Sequence, residues 1–66
     1  QYLMQLRIQK AAQLLLNSND MIHTISEEVG LRTPSYFIRQ FKKITGLTPI
    51  QYRIHYSIPA QQEKSH

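Results

Sequence analysis

Two glycines, each followed by an apolar residue and then a Thr-Pro pair, cut this chain into helices and limit its fold more than any other feature. Gly30-Leu31 leads to Thr33-Pro34, and Gly46-Leu47 leads to Thr48-Pro49. Glycine suits the left-handed position that ends a helix, and the apolar residue after it folds back onto the last turn. Leu31 is expected to fold back in this way onto Ile25. Threonine then caps the next helix, and proline fits its first position, where no hydrogen-bonded N–H is needed. The pattern implies short helices joined by abrupt turns. Strand signals and internal repeats are both lacking.

The helices follow from apolar spacing. In residues 1–16, Met4, Ile8, Ala11, Ala12 and Leu15 recur every three or four positions and form one stripe. Leu3, Leu6 and Leu14 lie off that stripe, so this helix is apolar over a wide arc. Either its core is crowded or it serves a second packing partner, and so small a domain cannot easily surround a helix. Asn17-Ser18-Asn19-Asp20 is a turn cluster, with Asp20 expected as the N-cap of a second helix over 21–29. That helix offers Ile22, Ile25 and Val29 on one side, and Ser26 is small enough for another helix to cross closely. A third helix over 34–45 places Phe37, Phe41 and Ile44 on one face. A fourth spans 49–56, with Ile50, Tyr52 and Ile54 available for packing. Residues 58–66 have no periodicity and are expected to form a disordered tail. The architecture is therefore an all-α unit over 1–57.

Sixty-six residues form at most one thin domain, since a chain this short buries only about 60% of its unfolded surface. Without cysteine, neither disulfides nor thiolate metal sites can staple it. His23, His55 and His66 have no ligand-like spacing, so no metal site is expected. No cofactor is indicated. Paired carboxylates in one segment, a phosphate-cradling glycine loop and a nucleophile with an evident base are all lacking, which argues against an enzyme. No apolar run approaches a membrane span, and nothing resembles a signal peptide. Because Gln1 stands directly in helical pattern, the chain is expected to be a piece of something longer.

The formal charge of +4 permits nucleic acid as a partner, but its distribution says more. Arg32, Arg39, Lys42 and Lys43 are half of the eight Lys and Arg residues, whereas all four acids (Asp20, Glu27, Glu28 and Glu63) lie outside that segment. At about 100° per residue, turning Phe37, Phe41 and Ile44 inward points Ser35, Arg39 and Lys42 outward. Ile38 and Lys43 flank that face and Tyr36 borders it. Two short helices meeting at a glycine turn, with arginine projecting from the second, is a common way to set a helix in a DNA major groove. Arg39 carries a planar fork able to bond guanine O6 and N7 together, worth about 1–3 kcal/mol of discrimination. Ser35 can bond a base edge, and Ile38 can rest on a thymine methyl. Arg32, Thr33, Tyr36, Lys42, Lys43 and Thr48 are the candidates for phosphate contacts. Thr48-Pro49 can instead be an ordinary cap, and Arg53 can contact DNA or pair with Glu27 or Glu28. The outer basic face can also be simply solvated. The helical spacing of Phe37 and Phe41 marks them as core rather than base-stacking residues.

The series Arg7, Ala11, Leu14-Leu15, Ile22, Ile25, Val29-Gly30, Ser35-Tyr36-Phe37, Arg39, Phe41-Lys42-Lys43, Gly46, Thr48-Pro49 and Tyr52-Arg53 resembles the AraC/XylS family of bacterial transcription regulators. In that family two helix-turn-helix units are joined by a long helix. The resemblance implies a homeodomain-like, four-helix half-domain corresponding to the second unit, with residues 1–16 as the joining helix. Leu3 and Leu6 would then face the missing first unit. It further implies a cytoplasmic, nucleoid-associated bacterial transcription factor, with an effector-sensing or dimerising domain elsewhere and RNA polymerase as a partner of many members. Three positions depart from the usual pattern. Leu31 replaces a phenylalanine, Ser26 an alanine, and Ile38 a small polar residue.

The reading expected from these residues is sequence-specific binding of double-stranded DNA, without a membrane partner. The competing reading is a helical protein-interaction module that docks through the apolar face of residues 1–16.

Overall fold

The computed structural model describes the backbone of residues 2–64 and the side chains of residues 2–56. Four helices follow one another: α1 (Tyr2–Asn17), α2 (Ile22–Glu28), α3 (Pro34–Thr45) and α4 (Pro49–Lys64). The described residues include no strand.

The turns form as the glycine pattern implies. Gly30 has φ 89° and Gly46 φ 88°, a region open to glycine at little steric cost. After α2, the Gly30 N–H donates to the Glu27 carbonyl at 3.0 Å and the Leu31 N–H to the Ser26 carbonyl at 2.8 Å. This paired closure satisfies two carbonyls left open at the helix end and draws Leu31 back onto the core. After α3, a single bond from the Gly46 N–H to the Lys42 carbonyl, 2.8 Å, does the same. The Thr45 hydroxyl donates to the Phe41 carbonyl at 2.9 Å, tightening that last turn.

One core serves all four helices. Ile8, Ala11 and Leu15 of α1 meet Ile25 of α2, the turn residues Val29 and Leu31, and Phe37 and Phe41 of α3. Met4, Ala12, Leu14, Ile22 and Tyr52 pack around them. Phe37, Phe41 and Tyr52 form an edge-to-face aromatic series, with centroids 5.7 Å and 5.2 Å apart. Such pairs contribute about 0.5–1.5 kcal/mol each beyond the area they bury.

Several expectations need correction. Asp20 does not cap α2. Met21 holds the N-cap position without a side-chain bond, and the first helical bond runs from the Ile25 N–H to the Met21 carbonyl. The Asp20 N–H instead donates to Ser18 Oγ, as part of the turn that closes α1. Helix α2 is one residue shorter at each end than 21–29, because Val29 leaves helical geometry as the C-cap. Ile44 does not join the core and is 40% exposed. It lines an open groove with Gln40 and Lys43, which Met4 and Gln5 of α1 border without filling. Ile50 and Ile54 are also exposed, lying opposite Tyr52, the α4 residue that faces Phe41. Finally, α4 continues through Lys64, where a disordered tail was expected from residue 58. Pro59 removes one helical N–H, but Gln61, Gln62, Glu63 and Lys64 are good helix formers extending a helix already nucleated. Residues 65 and 66 lie outside the described residues.

Candidate nucleic-acid interface

The outer surface of α3 is built from the inside. Phe37 and Phe41 are both 0% exposed, which fixes the helix's rotation about its axis. Ser35, Arg39 and Lys42 consequently point away from the core, and all three are exposed. Ile38 and Lys43 flank them and Tyr36 borders them, likewise exposed. Lys42 and Lys43 occupy the last turn of α3, where cations complement the open carbonyls of a helix C-terminus.

The remaining candidates lie at the two helix starts beside this surface. Thr33 holds the N-cap position of α3 through its backbone, but its side chain makes no cap bond. Arg32 is exposed next to it. Thr48 differs, because its backbone N–H donates to Gln51 Oε1 at 3.0 Å while its Oγ1 accepts from the Gln51 N–H at 3.2 Å. This reciprocal capping box fixes the start of α4. The structure thus brings Ser35, Ile38, Arg39, Lys42 and Lys43 onto one face, whereas the Thr48 hydroxyl already serves a cap.

Two arginines have structural partners that sequence patterning did not identify. Arg53 Nε donates to the Leu15 carbonyl at 2.9 Å and its Nη2 to the Ser18 carbonyl at 3.1 Å. It therefore bonds the C-terminal end of α1 rather than Glu27 or Glu28. Arg7 Nη1 donates to the Gly30 carbonyl at 3.0 Å. A local signal existed for both. Arg7 lies four residues before buried Ala11 and Arg53 four after buried Pro49, so each side chain shares a face with a core residue. Among the described residues, the guanidinium groups of Arg32 and Arg39 bond no protein group, unlike those of Arg7 and Arg53.

Ser26 is also more than a small spacer. It is fully buried and its hydroxyl donates to the Leu31 carbonyl, a bond alanine could not make. No buried side-chain nitrogen or oxygen lacks a partner among the described residues. Those residues also contain no group of histidine and acidic side chains able to hold a metal, and no helix long and apolar enough to cross a membrane.

Comparison with known proteins agrees with this architecture. Residues 1–55 match the family model described as a helix-turn-helix domain. The chain is 41% identical over 56 residues to the virulence regulon transcriptional activator VirF of Shigella flexneri, covering 85% of this chain and 21% of that protein. It is 52% identical over 52 residues to two Escherichia coli proteins, the HTH-type transcriptional activator CfaD and the DNA-binding dual transcriptional regulator Rns. Those two alignments cover 79% of this chain and 20% of each relative. The chain thus spans about a fifth of the length of these relatives. No solved structure matches it significantly. An exposed basic helix set by a glycine turn, in a chain matched over 79–85% of its length to regulators of this kind, assigns the chain to the AraC/XylS family of helix-turn-helix transcriptional regulators.

Proposed function

We propose that this chain binds double-stranded DNA in transcriptional regulation, with α3 seated in the major groove. Arg39 reads guanine, Ser35 a neighbouring base edge, and Ile38 a thymine methyl. Arg32, Thr33, Tyr36, Lys42 and Lys43 contact phosphates, and Thr48, whose hydroxyl accepts from the Gln51 N–H but keeps its own hydrogen to donate, contacts another. The observation that carries the reading is the opposition on α3: two phenylalanines with no exposure and, on the reverse side, an exposed guanidinium that bonds no group among the described residues.

A single module of this kind buries only about 600–1,000 Å² of its own surface on DNA. We assign it the role of the second unit of a paired domain, with α1 as the joining helix. Leu3 and Leu6, 59% and 41% exposed, are the residues proposed to seat the first unit. In the full-length protein, an effector or dimerising domain and contact with RNA polymerase, in a bacterial cytoplasm, complete the assignment.

The test is selection of duplex sequences by the full-length protein, repeated with substitutions. Arg39→Ala relaxes the preference at one position by about 1–3 kcal/mol. Lys42→Ala weakens all duplexes alike and lowers the salt dependence by about one phosphate contact. Equal losses on selected and random duplex for Arg39→Ala would remove it as a reader.

A further inference from the structure

Only five residues, 29–33, join the end of α2 to the start of α3, and two successive carbonyls within them are held from different helices. The Gly30 carbonyl accepts from Arg7 of α1 at 3.0 Å, across 23 positions of sequence. The Leu31 carbonyl accepts from the buried Ser26 hydroxyl of α2. The Arg7 guanidinium also packs against the turn itself. A Cβ at Gly30 would stand 2.8 Å from Nη1, 3.2 Å from Cζ and 3.6 Å from Nη2. Gly30 therefore provides a left-handed turn and, in addition, a bare surface for the guanidinium.

We infer that Arg7 is a positioning residue for the reading helix, holding the Gly30 peptide against α1 and so fixing the direction in which α3 leaves the turn. This inference rests on the DNA-binding role proposed for α3. Holding two consecutive peptide planes constrains the dihedrals between them, and the first turn of α3, which carries Ser35, follows within a few residues. A guanidinium that must meet two acceptors on one base tolerates little tilt, because a working site demands placement within about 0.5 Å and 10–20°. Lysines reaching phosphates on long flexible stems tolerate more. Loosening the turn should accordingly reduce recognition of the preferred sequence while leaving general attraction to DNA nearly intact.

The experiment compares the full-length protein carrying Arg7→Ala or Arg7→Lys with the unmodified protein, well below the melting temperature of each. Amide hydrogen exchange without DNA reads the turn at Leu31, whose N–H bonds the Ser26 carbonyl, with the Phe41 amide as an internal control. Dissociation constants are measured on a selected and a random duplex. For Arg7→Ala, exchange at Leu31 rises by up to about tenfold, the worth of one hydrogen bond, while exchange at Phe41 stays the same. The ratio of random to selected dissociation constants falls by a similar factor. Arg7→Lys keeps the charge and one donor but loses the flat guanidinium, so random-duplex affinity matches the unmodified protein and the ratio recovers only in part. Unchanged exchange at Leu31, or equal acceleration at Leu31 and Phe41, overturns the positioning role. Equal losses on both duplexes also overturn it, since that is the signature of a phosphate contact. An unmodified protein that prefers no duplex brings down the DNA reading and this inference together, and the DNA-free exchange data separate that failure from failure of the brace.

Discussion

Alanine at Gly30 and alanine at Gly46 should differ in cost by one identifiable interaction. The two glycines have nearly the same backbone geometry, φ 89° and 88°. An L-residue placed there pays about 1–2 kcal/mol in either turn. Their surroundings differ. A Cβ at Gly46 meets nothing within 4 Å, whereas one at Gly30 comes within 2.8 Å of Arg7 Nη1. The flexible end of Arg7 must then shift away from the Gly30 carbonyl, and the largest cost is loss of that solvent-accessible hydrogen bond, worth about 0.5–1.5 kcal/mol net. Gly46→Ala should therefore destabilise by about 1–2 kcal/mol and Gly30→Ala by about 1.5–3.5 kcal/mol, combining the strain and the bond. For domains of this size each kcal/mol moves the melting midpoint by about 4–8 °C, so the difference is readable by circular dichroism on heating and by urea titration. In an Arg7→Ala background the two alanine substitutions should become equivalent, because the interaction that separates them is gone. Equal costs in the unmodified protein, or a gap that survives the loss of Arg7, would refute the reasoning.

Two further outcomes follow from the corrected packing. Arg53→Ala should cost about 2–3 kcal/mol, because two charge-assisted bonds to the Leu15 and Ser18 carbonyls disappear at a half-buried site; Arg53→Lys should recover less than half, and thermal melts check both. Ile44→Ala should cost under about 1 kcal/mol while Phe41→Ala costs about 3–5 kcal/mol, since Ile44 is 40% exposed and Phe41 is sealed; comparable losses in urea titration would mean that α3 is rotated from the orientation described.

How much could be read in advance depended on the reach of each interaction. The positions of the turns, the rotation of α3 and the outward set Ser35, Arg39 and Lys42 were legible. A left-handed glycine, a Thr-Pro helix start and two phenylalanines four residues apart act over a single turn. Ile44 shares the helical face of Phe37 and Phe41, yet it is exposed because burial needs an opposing wall. Met4 and Gln5 border the space without filling it. Asp20 had the right chemistry for a cap but stands one residue before the position that the Ile25 N–H to Met21 carbonyl bond defines. The family resemblance was also legible, because its motif is carried by the same local signals.

Apolar periodicity and backbone preference therefore determined by themselves that this chain makes short helices with a basic face on the third. Tertiary structure decided which cations remain available to a ligand. Arg7 and Arg53 are drawn to carbonyls 23 and 38 positions away, whereas Arg32 and Arg39 stay outside. A helical pattern encodes the face on which a side chain lies, but a hydrogen bond between helices depends on which chain end packing brings beside it.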